Sequence, residues 1–325
     1  MPERRKGRAT KKAKRKELPE PEAKIRAANV SVASNTFLFC IKMVAGLLMG
    51  SVSVLAEGIH SGMDLLAAII ACLAVRTSGQ PADDKHAYGH WKFESISGVV
   101  EAALIFIAAI IIIYQAAQKL LGHGEVEGLG WGVVVMGVSA VLNFFVSRYL
   151  MAVARRSDSV ALEADSLHLS TDVLTSVGVM VGLALIALTD QHWIDPAAAL
   201  IVAALIMKAA YDLTRKAAGE LIDVALSNEE LGTIRSVVIE HTGMFVNIHK
   251  IRTRKAGGFR FIDLHVVVHK DMHVHDAHGI AHHIGDDLQV KLGAKTNTLV
   301  HIEPCEARCS DCPAECNHTA DTDVQ

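Results

Sequence analysis

Six long apolar segments, at about residues 27–49, 52–77, 94–121, 129–153, 160–188 and 194–213, constrain this chain more than any other feature. Each is near or above the roughly 20 residues a helix needs to cross the hydrocarbon core of a bilayer. The chain is therefore predicted to be mainly α, with six transmembrane helices. Composition agrees, since 51% of residues are hydrophobic and the mean hydropathy of +0.30 is high for a soluble protein.

The links between spans sort by charge. RTSGQPADDKHAYGHWK and ARRSDS carry Lys or Arg, whereas GHGEVEGLG and TDQH carry neither. This alternation follows the positive-inside rule, and an even number of crossings puts both chain ends in the cytoplasm. A multi-pass protein of the cell's inner or plasma membrane is expected. The net charge of −3 hides an asymmetry: Lys and Arg crowd residues 1–24, while acids and histidines gather after position 220. A basic start suits a nucleic-acid arm, a signal peptide or a cytoplasmic tail. The adjoining apolar segment favours the tail, no small-residue cleavage site is evident, and no nucleic-acid partner is expected.

Past Asp223 the texture becomes that of a soluble domain. SNEELGTIRSVVIEHTG reads as a helix with Ser227 at its N-cap and Glu230 three residues later. In GFRFIDLHVVVH, Ile262, Leu264, Val266 and Val268 alternate with Phe261, Asp263, His265 and Val267, as in a strand with one buried face. DAHGIAHHIGDDLQVKL has helical spacing and NTLVHIE closes the module, which predicts a cytoplasmic α/β domain in the order helix, strand, strand, helix, strand. The expected domains are a basic tail (1–24), a six-helix transmembrane domain (25–221), a cytoplasmic α/β domain (222–304) and a Cys-rich tail (305–325).

Two spans carry matched ionisable pairs. The second holds His60 and Asp64, and the fifth holds His168 and Asp172, each pair four residues apart and so on one helix face. Brought together, they offer the four ligands of a tetrahedral divalent ion. Buried His–Asp bridges are the bland alternative, but such bridges are rarely net stabilisers and do not require matched spacing on two helices. Asn35, Asn143, Ser53 and Asp165 lie near these pairs in sequence and serve either to orient ligands or to join helices.

Asp83, His86 and His90 form either a metal site or a solvated polar loop. The soluble module is rich in histidine, much of it consistent with an ordinary surface. Cys305, Cys309, Cys312 and Cys316 suit a thiolate metal site, a metal-gathering tail or a reduced tail without structure.

From about residue 27 to 304 the chain resembles the cation diffusion facilitators, which export divalent metals in exchange for protons. The resemblance rests on the two HxxxD motifs, PADDKHAYGHWKFE, DPAAA opening the sixth span, and HKIRTR, RFIDLH and VHIEP in the soluble module. It implies a transport site of His60, Asp64, His168 and Asp172 in the zinc-preferring branch, similar to bacterial zinc/iron efflux members. It further implies a loop zinc site of Asp83, His86 and His90, and a cytoplasmic site binding zinc between the chains of a homodimer. Its matching positions are His249, His265, His278, His301 and Glu303, the last where the family also has aspartate. Lys92 and Asp223 match a Lys–Asp interlock near the dimer interface; on their own they are also a plain surface pair. The resemblance ends near Cys305 and says nothing of the tail.

Chemistry favours Zn²⁺ as cargo, because two nitrogens and two oxygens suit it better than Mg²⁺, Ca²⁺ or Mn²⁺; Fe²⁺, Co²⁺, Ni²⁺ and Cd²⁺ stay open. Protons compete with metal for imidazole and carboxylate, so they are the expected counter-ion in an alternating-access antiporter. An enzyme is not expected: HExxH is absent and four protein ligands would close the site. A membrane-anchored zinc sensor without transport is the other alternative, and no GxxxxGK[ST] loop suggests an ATP-driven pump.

Overall fold

A computed structural model describes residues 21–49, 52–121, 132–189, 191, 193–293 and 295–305. Six long helices come first: α1 (Pro21–Met49), α2 (Val52–Ser78), α3 (Lys92–Leu120), α4 (Gly132–Ser157), α5 (Val160–Thr189) and α6 (Ile194–Leu221). Five of them, α1, α2, α3, α4 and α6, are long and apolar enough among the described residues to cross a membrane. α5 has the length, at 30 residues, but carries Glu163, Asp165 and Asp172 along with His168. Breaks fall where the backbone demands them, at Gly79 and Pro81 after α2 and at Gly89, whose φ of +84° suits glycine. Pro196 sits in the first turn of α6, where its missing N–H costs nothing.

α5 lies at the centre of the bundle. Its Ala161, Leu162 and Leu169 pack with Ala27 and Ala28 of α1, Cys72 and Val75 of α2, and Val146 and Leu150 of α4. Its Ala164 joins a second cluster with Ala102, Ile105 and Ala109 of α3 and Ile206, Ala210 and Leu213 of α6. Small residues at these contacts let backbones approach, as helices in lipid require. Large apolar side chains such as Phe37, Val44, Ile107 and Phe145 stay exposed on the outside, where a bilayer would cover them.

One buried cluster ties the helices together at the end next to the soluble module. Glu94 of α3 accepts from Lys24 of α1, from Ser78 of α2 at 2.6 Å, and from Ser159 in the α4–α5 turn.

The soluble module comprises α7 (Asn228–Glu240), β1 (Asn247–Ala256), β2 (Phe259–Val268), α8 (Val274–Leu292) and β3 (Thr296–Pro304). β1 pairs antiparallel with β2, and β2 parallel with β3. Ser227 and Glu230 make the expected capping box. Ile262, Leu264, Val266 and Val268 all point into a core with Ile234 and Val237 of α7 and Ile284 and Leu288 of α8. The helices thus cover one face of the sheet and leave the other to polar residues.

The β1–β2 turn seats the module against the bundle. Gly257 N–H donates to Glu220 Oε2 at 3.0 Å, Phe259 stacks on Trp91 with centroids 4.7 Å apart, and Lys255 and Arg260 both reach Asp158, at 2.8 and 3.3 Å. A Cβ on Gly257 would stand 3.1 Å from the Trp91 carbonyl oxygen, and one on Gly258 3.0 Å from that of Ser157.

Candidate metal transport site

α2 and α5 present their HxxxD faces to each other. His168 Nε2 lies 3.0 Å from Asp64 Oδ1, and ligand atoms of Asp64, His168 and Asp172 all fall within 4.8 Å of one another. Asp64 and His168 are buried and Asp172 nearly so. Two polar atoms in this group, His168 Nδ1 and Asp172 Oδ2, have no hydrogen-bond partner among the described residues. Buried polar atoms are normally satisfied, so such orphans suit a site whose partner is a transient cation.

His60 is the member held apart. Its Nε2 is 3.8 Å from Asp64 Oδ1, and its side chain is 53% exposed against 7% for Asp64. Helix geometry explains this, because four residues advance about 6 Å along the axis but also about 40° around it. With Asp64 aimed at α5, His60 sits off to the side.

Around the group, Asn35 donates to the Ser31 carbonyl at 3.1 Å, while Asn143 is buried with its Oδ1 unpartnered among the described residues. Asp165 is buried one turn before His168. The side chain of Ser53 lies outside the described residues. Sequence reasoning missed two buried charges, Glu101 of α3 and Lys42 of α1, the latter 3.3 Å from Glu57. The signal that would have found them is the rarity of any charge within an apolar span.

In the α2–α3 loop, His86 Nδ1 is 3.2 Å from Asp83 Oδ1 and His90 Nε2 is 3.4 Å from Asp83 Oδ2. Reciprocal backbone bonds between Asp83 and His86 close the turn. The His86 N–H, followed by that of Lys85 and the His86 ring, outweighs partial desolvation and holds the Asp83 carboxyl below its ordinary pKa.

In the soluble module the sheet aligns His249, His265 and His301 across three strands. His265 Nδ1 lies 2.7 Å from Glu303 Oε1 and His249 Nε2 lies 3.1 Å from Glu303 Oε2; His301 Nε2 is 3.6 Å from Oε1. The His265 hydrogen bond is the largest influence keeping the Glu303 carboxyl below its usual range. His278 is elsewhere. It stacks near His282 on α8 and lines a pocket with Thr298 and Val300. Val300 pairs with Leu264, whose side chain points to the helix layer, so His278 is on the opposite face of the sheet from His265.

Lys92 Nζ donates to Asp223 at 2.9 Å within one chain, and Arg254 is 3.4 Å from the same oxygen. The Lys92 bond, ahead of Arg254, keeps the Asp223 pKa low. Cys305 is buried, its N–H donating to the Val268 carbonyl at 2.9 Å; Cys309, Cys312 and Cys316 lie outside the described residues.

A helical bundle with ligand-type side chains converging from two of its spans, joined to a histidine-bearing α/β module, defines a class: a polytopic membrane transporter of cations. Residues 28–222 match the family model for the cation efflux transmembrane domain, and residues 226–305 match that for the cation efflux protein cytoplasmic domain. The chain belongs to the cation efflux family. It is 34% identical over 280 residues to a Synechocystis protein described as the uncharacterized transporter sll1263, covering 86% of this chain and 90% of that one. It is 31% identical over 281 residues to the cation-efflux pump FieF of Shewanella oneidensis (86% and 94% covered) and 30% over 280 residues to that of Escherichia coli (86% and 92%).

Proposed function

We propose that this chain exports a divalent metal, Zn²⁺ by preference, in exchange for protons, working as a homodimer in the inner or plasma membrane with both termini cytoplasmic. The observation that carries the reading is the convergence of Asp64, His168 and Asp172 from two helices within 4.8 Å. Imidazole and carboxylate donors at that spacing suit Zn²⁺, with His60 completing the set by a small rotation of α2. Neutral His168 and ionised Asp64 and Asp172 bind the cation, and protonation of the same atoms releases it. Alternating exposure of the site to the two sides turns this competition into antiport.

The cytoplasmic group supports a dimer reading. His249, His265, His301 and Glu303 crowd the sheet face that the module's helices leave bare, while His278, on the other face, stays outside this group. Metal bound there couples cytoplasmic metal level to dimer geometry. Asp83, His86 and His90 are assigned to a further metal position in the loop.

The test is uptake of Zn²⁺, Fe²⁺, Mn²⁺ and Cd²⁺ into proteoliposomes under imposed pH gradients. The parent chain is expected to move Zn²⁺ fastest and to respond to the gradient, and His60→Asp to shift the preference away from Zn²⁺. Zn²⁺ flux indifferent to the gradient refutes antiport, and unchanged preference in His60→Asp refutes the assigned filter.

A further inference from the structure

A polar column that the proposed metal site does not use lies between that site and the buried Glu94 cluster. On α3, Glu94, Ser97 and Glu101 are three and four residues apart, share a face and are all buried. α5 adds Asp165, and α1 adds Ser31 and Asn35, each nearly inaccessible. Glu101 has 0% exposure, and neither of its carboxylate oxygens has a hydrogen-bond partner among the described residues. Asp165 takes one bond from the Ser31 hydroxyl and leaves Oδ2 unpartnered.

The charges facing this pair are few. Glu101 feels Asp165 first and then His168; Asp165 feels His168. His168 bonds to neither, since its Nε2 is taken by Asp64 and its Nδ1 has no partner. From α2 the nearby ionisable group is Asp64 itself, and from α4 the buried polar groups are Ser139, Asn143, Ser147 and Ser157, none of them ionisable. α1 offers Lys24, already bound to Glu94, and Lys42, paired with Glu57. α6 lays Ile206, Ala210 and Leu213 here, with Glu220 only at its far end, bonded to Ser95. Two buried carboxyl groups with no cation of their own cannot both be ionised in so apolar a setting.

We propose that Glu101 and Asp165 form an intramembrane proton-binding site, distinct from the metal ligands, that carries the counter-transported proton between the metal site and the cytoplasmic end. The proton enters as a carboxyl O–H bond formed at the expense of hydronium on one side, and leaves when that bond breaks to water on the other. The proposal rests on the antiport reading above.

The experiment follows Zn²⁺ and proton flux together in proteoliposomes of the parent chain, Glu101→Gln and Asp165→Asn, with Zn²⁺ affinity measured by calorimetry. Glu101→Gln mimics the protonated acid in shape. It is expected to bind Zn²⁺ as the parent does and to pass it down its own gradient, while Zn²⁺-coupled proton flux falls by at least about tenfold. Coupling retained at the parent level in both variants overturns the proposal while leaving antiport standing. Loss of Zn²⁺ affinity in Glu101→Gln also overturns it, by making Glu101 part of the metal site. A parent that moves no protons overturns the antiport reading and this one with it. Should the variants misfold, infrared spectroscopy of the parent decides: a protonated-carboxyl band at neutral pH supports the proposal, and its absence overturns it.

Discussion

Asp64 holds the position on which the proposed site turns, because its Oδ1 lies 3.0 Å from His168 of α5 and 3.8 Å from His60 of its own helix. Removing it separates the two helix faces, whereas removing His60 strips a half-exposed side chain from the edge. Asp64→Ala and Asp172→Ala are therefore expected to lower the initial rate of Zn²⁺ uptake by more than about a hundredfold, and His60→Ala by about tenfold. Equal losses in vesicle uptake would refute this ranking. The two HxxxD pairs were legible because a period of four is easy to see. The 40° offset that leaves His60 to one side was equally computable from helix geometry, but which member faces the partner depends on how α2 is rotated in the bundle. Glu101 escaped notice because one acid in SISGVVEAALI breaks no period, and α3 is buried here by α5 and α6, far away in sequence.

Elements fit together here through small residues as much as through large ones. A Cβ on Gly98 of α3 would stand 2.8 Å from Val160 Cγ1 and 3.2 Å from the Ala217 Cβ, at the meeting of α3, α5 and α6. Gly98→Val is expected to destabilise the bundle by about 1–3 kcal/mol, visible as a lower Tm of the detergent-solubilised protein. An unchanged Tm would mean that α3 and α6 pack less closely than described. The six long helices and the helix–strand–strand–helix–strand order were readable from run length and alternation, since both depend on local periods. The side of the sheet on which His278 falls was not, because a histidine run on α8 gives no clue to which layer it joins.

At the scale of the molecule, Asp158 is the charged part of the junction between bundle and module, beside the Gly257–Glu220 bond and the Phe259–Trp91 stack. Burial alone would raise its pKa, but Lys255, then Arg260 and Lys216, overcome that and hold it below the ordinary value. A carboxyl with a depressed folded-state pKa adds stability that is fully present above about pH 4 and is lost as pH falls through the depressed value. Protection from hydrogen exchange at the Ala256–Phe259 turn, measured against the intrinsic rate at each pH, is expected to be high at neutral pH and to fall in acid. Asp158→Asn should show the low protection already at neutral pH, and full protection in that variant would remove Asp158 from the junction.

Glu94 joins three helices and the α4–α5 turn through a charge that water cannot reach, whereas at Lys42–Glu57 only two helices meet and the acid is partly exposed. Splaying the bundle at the Glu94 end means parting a fully buried acid from three partners at once, whereas at the other end it parts Lys42 from a single, partly exposed acid. A single carboxylate thus works as a clasp that three helices and a turn share.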